Sequence, residues 1–239
     1  MVRHGRTAHN AGGRIQGHLD IPLDETGLRQ AATIAPVLAE VGVSVLLTSD
    51  LSRACQTADA LAVAAGVPAV VDARLRELHL GAWQGLTLPE AKEQFATEYA
   101  AWRAGQDVAR GGGETYRDGA ARAVACIEEH LPAAGPGGTL VAVTHGATAR
   151  ATLGALLDMP AEQWWRLQGL GNACWSVLAE TDRGWRLERH NVRAPGDSPA
   201  AAGLAAPLSA PLLAPLSAPP PDASPEAIDG QAVGAAPYL

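Results

Sequence analysis

Nowhere in this 239-residue chain do about eighteen apolar residues run together, so no segment has the length of a conventional membrane-spanning helix. The basic start, MVRHGR, is not followed by the apolar stretch that a secretory signal needs, and the expected address is the cytoplasm. Cysteine is scarce. Cys55, Cys126 and Cys174 are odd in number, far apart and without paired spacing, which fits reduced thiols in a core better than disulfides or a zinc site. Basic charge is short as well. The formal net charge is −7, which argues against a nucleic-acid binder with its basic patch or stripe. Much of that deficit is local: no Lys or Arg follows Arg193, whereas Asp197, Asp222, Glu226 and Asp229 do, so the body of the chain is nearly balanced.

Apolar residues make up 47% of the chain, ample for a packed core. Residues 194–239 differ in kind, being an Ala, Pro, Leu and Ser run with an imperfect Ala-Pro-Leu repeat. Proline every few residues blocks helix and central strand alike, and a disordered tail is expected there. Over residues 1–193 the runs VSVLLTSD (43–50), PAVVDARL (68–75) and TLVAVTHG (139–146) read as strands buried on both faces. Helical patterns lie between them. Residues 25–41 place Leu28, Ile34, Val37 and Leu38 on an apolar face, with Asp24 or Thr26 as N-cap and Gly42 as the stop. Residues 51–65 are entered through Ser49 or Asp50 and closed at Gly66, and NACWSVLAET with GWRLERHNV reads as a hairpin turned at 182–184. Strands alternating with helices imply one α/β domain with a mainly parallel sheet covered on both faces.

In such sheets ligands collect at the carboxyl edge of the strands, and three polar motifs fall at strand ends. Arg3-His4-Gly5 follows the stub of a first strand, SDLSRACQTA follows the second apolar run, and Thr144-His145-Gly146 follows a later one. Together they suit phosphoryl transfer. Phosphate monoesters hydrolyse so slowly that accelerations approaching ~10²¹ are required, against the ~10²–10⁴ that one positioned acid supplies. Arg3 and Arg53 are the candidate clamps for phosphate oxygens, Arg53 standing in the first turn of a helix whose free N–H groups also attract an anion. His4 is the candidate nucleophile, its second ring nitrogen held by a carbonyl or carboxylate, and His145 the second imidazole. Glu77 is the candidate proton donor, with burial and a neighbouring phosphate expected to raise its pKa. Taken alone, His145 reads as a strand-end histidine satisfying loop backbone, and Glu77 as a surface partner of Arg74 or Arg76.

Over residues 1–193 the chain resembles the histidine phosphatase superfamily, with its phosphoglycerate-mutase-like fold. The likeness rests on RHGRT with Asn10, the loop IQGHLDIPLDETG, SDLSRACQTA, LRELHLGAWQG, GGGET and VTHG, in the family's order and spacing. It implies a three-layer α/β/α sandwich, a phosphohistidine at His4, a pocket of Arg3, Arg53 and His145, and acid catalysis by Glu77. Asn10, Gln16 and Gly17 would be substrate contacts. No metal and no cofactor are implied, and the partner would be a small phosphomonoester, with a homodimer as the oligomeric option. Within the superfamily, SDLSRACQTA, LRELHLGAWQGLT and GLGNACWS resemble actinobacterial glucosyl-3-phosphoglycerate phosphatases. Leu78 after Glu77 and Thr87 farther on replace the basic residues usual in mutases, which favours hydrolysis. The alternatives are an acid-type or α-ribazole phosphatase, a phosphoglycerate mutase, or a catalytically silent binding module. Family members carry several apolar residues before Arg-His-Gly; here only Met1 and Val2 stand there, and an upstream extension is expected to complete the strand. His18, His79, His130 and His190 lack metal-ligand spacing and read as loop or surface residues, although His18 lies in the substrate-side loop. Trp164 and Trp165 read as core or interface before a sugar platform, and Gly111–Gly113 lack the Lys-Ser or Lys-Thr of a nucleotide loop.

Overall fold

Strand β1 (Val2–Arg3) is two residues long, yet it occupies the middle of a six-stranded sheet. The computed structural model describes residues 1–195; beyond Pro195 the expected tail lies outside the described residues. After a single-turn α1 (Ala8–Ala11) come α2 (Glu25–Ala39), β2 (Val43–Thr48), α3 (Ser52–Ala65) and β3 (Ala69–Val71). Helices α4 (Leu88–Gln94), α5 (Ala96–Arg103) and α6 (Tyr116–His130) lead to β4 (Thr139–Thr144), and α7 (Gly146–Leu156) leads to the hairpin β5 (Trp175–Thr181) and β6 (Gly184–Val192). The sheet order is β3-β2-β4-β1-β5-β6, parallel from β3 to β1 and antiparallel from β1 to β6.

Alternation along β2 and β4 sorts side chains to two cores. Val43, Leu46, Val141 and Val143 face Ile34, Leu38, Ala54, Ala58 and Leu61 of α2 and α3. Val45, Leu47 and Ala142 face Leu75, Ala123 and Cys126 on the α6 side. The result is a helix–sheet–helix sandwich. From β1 the chain goes to β2 on one side, and from β4 it goes to β5 on the other, so the connections diverge between β1 and β4. That divergence opens a crevice at the carboxyl ends of both strands.

Several expectations change in detail. β3 is an edge strand with Val70 and Val71 exposed, because only β2 pairs with it. Leu28 is 49% exposed; the buried face of α2 is Ala31, Ile34, Ala35 and Leu38. Asp24 caps α2 by accepting from the Gly27 N–H. The residue before α3 is Leu51, with no side-chain cap of its own; Asp20 reaches in from the preceding loop and accepts from both Ser52 N and Oγ at 2.7 Å. Asp50 pairs with Arg76 instead. Cys126 and Cys174 are buried free thiols, whereas Cys55 is only partly covered. Trp164 is core, bonded to Met159 O, while Trp165 stands half exposed, so the two form no platform. Five of the ten aromatic side chains, Trp83, Phe95, Tyr99, Trp102 and Tyr116, pack with Leu78 and Leu80 beside the crevice.

Candidate active site

Parallel pairing of β1 with β4 sets Arg3 against Thr144, so the residues after them, His4 and His145, leave the sheet side by side. Their ring centroids lie 5.1 Å apart, and both side chains are buried. His4 N donates to Thr144 O at 3.0 Å. The His4 Nδ1–H donates to Gly5 O at 2.7 Å, which leaves the Nε2 lone pair free to attack. This geometry needs a bare backbone: a Cβ on Gly5 would stand 2.5 Å from Gly27 O, so the first turn of α2 touches the loop directly.

Arg53 is fully buried in the first turn of α3. Its Nε donates to His145 Nδ1 at 3.2 Å, while Nη1 and Nη2 donate to the carbonyls of Leu19 and Gly17. Because Nδ1 of His145 accepts, its proton sits on Nε2, and that N–H is buried with no partner among the described residues. The Nε of Arg3 is in the same condition, its Nη1 being held by Leu170 O at 2.7 Å. Two orphaned donors of this kind suit an anion. Burial first, and the charges of Arg53 and Arg3 next, hold both His4 and His145 well below the usual histidine pKa, so both are neutral at pH 7. Burial also lowers Arg53, to about 10, still protonated.

Glu77 lies at the N-terminus of α7. Its carboxylate accepts from Leu78 N at 2.9 Å, Ala147 N at 3.1 Å, Thr148 N at 2.9 Å and Thr148 Oγ1 at 3.1 Å. Burial works against its charge, but these bonds and Arg53 outweigh it and lower the pKa. The expected rise is therefore reversed: without phosphate, Glu77 is an ionised carboxylate fixed by the helix end. It is no surface partner either, since Arg74 pairs with Asp72 and Glu129, and Arg76 with Asp50.

The other expected contacts line the same loop. Asn10 Oδ1 accepts from Thr7 N, Gln16 Oε1 accepts from Thr7 Oγ1 at 3.0 Å, and Gly17, at φ +52°, gives its carbonyl to Arg53. His18 Nε2 donates to Glu77 O at 2.8 Å and its ring meets His79 edge-on. Asn172 is the residue that motif reading missed: the two hydrogens of its Nδ2 are shared among His4 O, Gly5 O and Asn10 Oδ1, tying the His4 loop to the β5 side. The only sequence signal was its place in GLGNACWS.

Elsewhere, the donor atoms of Asp72, Cys126 and His130 lie within 4.8 Å of one another. Asp72 is committed to Arg74, and burial with Asp72 pushes the Cys126 thiol up to about 12, so the trio offers a cation neither a thiolate nor a free carboxylate.

Two neutral imidazoles, the guanidinium groups of Arg3 and Arg53 and one carboxylate meet at the crevice of a mixed α/β sheet, a set suited to phosphoryl transfer. The chain belongs to the histidine phosphatase superfamily (branch 1), whose family model matches residues 1–193. It is a histidine phosphatase. Over 211 residues it is 39% identical to the glucosyl-3-phosphoglycerate phosphatase of Mycolicibacterium vanbaalenii, covering 81% of this chain and 94% of that protein. It is 40% identical over 210 residues to the protein of the same name from Mycobacterium tuberculosis, with the same coverages. A solved mycobacterial glucosyl-3-phosphoglycerate phosphatase in complex with VO3 superposes with a TM-score of 0.75 at 39% identity, covering 80% of this chain and 96% of that one. No helix among the described residues is long and apolar enough to cross a membrane.

Proposed function

We propose that this chain hydrolyses a small phosphate monoester, with glucosyl-3-phosphoglycerate as the leading candidate, through a phosphohistidine on His4. The observation that carries the reading is the paired tautomers: an open Nε2 lone pair on His4 beside an unmet Nε2–H on His145, 5.1 Å between ring centroids. His4 Nε2 attacks phosphorus, the bond to the leaving oxygen breaks, and a proton from Glu77 goes to that oxygen. Water then attacks phosphorus, returns a proton to the Glu77 carboxylate, and the N–P bond breaks to release inorganic phosphate. Glu77 acquires its proton for the first step when the phosphate dianion arrives, since a second negative charge opposes its own. Arg3, Arg53 and the His145 Nε2–H absorb charge on the non-bridging oxygens. Hydrolysis rather than mutation is favoured by Leu78, an apolar residue wholly buried where mutases carry a basic side chain.

The substrate assignment follows from the relatives named above. Rapid mixing with phosphoryl-labelled substrate, stopped in alkali, should place the label on His4 and lose it in His4→Ala. Label on another side chain ends this reading. Activity should survive EDTA, because guanidinium groups supply the charge neutralisation; abolition by EDTA would remove the metal-free mechanism.

A further inference from the structure

Arg110 is 5% exposed, and its Nε and Nη2 are buried without a partner among the described residues. Its guanidinium carbon lies 5.5 Å from the ring centroid of Trp102 and 4.9 Å from that of Tyr116. The rings hold the group in place and exclude water, but a ring face returns only part of what a buried cation loses on leaving water. Nε and Nη2 together form the side edge of the guanidinium, the edge that meets two coplanar oxygens at once.

A second cation acts on the same Tyr116. Arg150 stands one turn along α7 from the residues holding Glu77, and its Nε is likewise buried and unmet. None of the ion pairs among the described residues includes Arg110 or Arg150. Gly169 makes room for Arg150, since a Cβ there would come within 2.8 Å of its Nη2. Tyr116 joins the two: it packs against the buried cluster of Leu78, Leu80 and Trp83, Leu78 being one of the residues whose N–H groups hold Glu77, and it lies under Arg110. Burial would raise the Tyr116 pKa, yet Arg110, Arg150 and a bond to Trp102 lower it on balance, and Arg150 also bears on Arg3.

We infer that Arg110, with Arg150 beside it, forms a second anion subsite, distinct from the phosphate pocket, that takes a carboxylate on the leaving group. The phosphate already has Arg3, Arg53 and His145, so it does not need these two cations. They lie on the Glu77 side, where the leaving oxygen must stand to receive its proton. A planar, singly charged carboxylate matches the side edge of Arg110, and a glycerate-type alcohol carries one. This inference rests on the phosphatase reading above and narrows its substrate class to acidic alcohols.

The test compares 3-phosphoglycerate with glycerol 3-phosphate, which share a three-carbon leaving group and differ in the carboxylate. Wild-type enzyme should prefer the acid, and Arg110→Met should lower the ratio of the two kcat/KM values about 10- to 100-fold, mainly through KM. Arg110→Lys should restore the ratio only in part, because an ammonium has no fork. Arg150→Met should shift it in the same direction. If Arg110→Met does not fold, the wild-type enzyme still decides: D-glycerate should inhibit at least about tenfold more strongly than glycerol. Equal losses on both substrates, no wild-type preference for the acid, or equal inhibition by glycerate and glycerol would overturn the subsite. Failure of the phosphatase reading is a separate result, namely no phosphate release from either substrate or from p-nitrophenyl phosphate and no label on His4.

Discussion

His4, the proposed nucleophile, keeps an open Nε2 near neutrality because burial and two arginines hold a second proton off the ring, not because it meets a base. For an aryl phosphate, whose leaving group departs without an acid, kcat/KM should therefore show no loss on acidification through the ordinary histidine value of 6.5. A titration step at that pH in steady-state hydrolysis would contradict the neutral pair. Glu77→Gln should then slow poor leaving groups far more than aryl ones, by about 10²- to 10⁴-fold if proton donation is its contribution. Comparable losses on both classes would take proton donation to the leaving oxygen away from Glu77 and leave it only the proton-accepting step that both classes share. Asn172 belongs at this scale too. Asn172→Ala leaves the carbonyls of His4 and Gly5 and the Asn10 oxygen without that donor, and should cost about 1–3 kcal/mol in urea unfolding together with a marked loss of phosphate release.

At the scale of elements, three segments position the pocket from outside it. The β1–β4 register aligns the two imidazoles, Asp20 holds the start of α3 that carries Arg53, and the first turn of α2 presses on the His4 loop. Asp20→Ala should destabilise by about 0.5–2 kcal/mol, as loss of an N-cap does. It should also weaken inhibition by inorganic phosphate, because Arg53 is the second residue of that helix. Gly27→Ala is the sharper case: its Cβ would fall 2.0 Å from Arg6 O, backbone that cannot swing aside. A cost of about 1–3 kcal/mol from overpacking is expected, with disturbed phosphoenzyme formation. A fully active Gly27→Ala enzyme would show that the loop tolerates displacement.

For the whole molecule, the site itself makes stability depend on pH. His4 and His145 stay neutral when folded, while the unfolded chain takes up protons on those side chains below about 6.5. Acid therefore favours the unfolded state. The urea midpoint should fall between about pH 7.5 and about pH 5.5, and Glu77 should add a second decline below its ordinary value of 4.5, because its folded pKa is lowered. A midpoint that holds or rises on acidification would be incompatible with buried neutral imidazoles.

The sheet, the layers and the candidate residues gathered at the crevice were legible in the chain because apolar periodicity reports burial directly. RHGRT, the arginine of SDLSRACQTA, Glu77 and VTHG also stand at strand or helix ends that this periodicity locates. Tertiary structure decided the rest. The tautomer of His145 depends on Arg53, ninety-two positions away, and the charge of Glu77 on N–H groups seventy positions on. The exposure of Leu28, the thin edge strand β3, the distant cap Asp20, the tie made by Asn172 and the unmet side edge of Arg110 likewise had no local signature. Periodicity encodes which face of an element is buried, whereas a polar group's partner, and hence its proton, is set by whatever the fold brings opposite it.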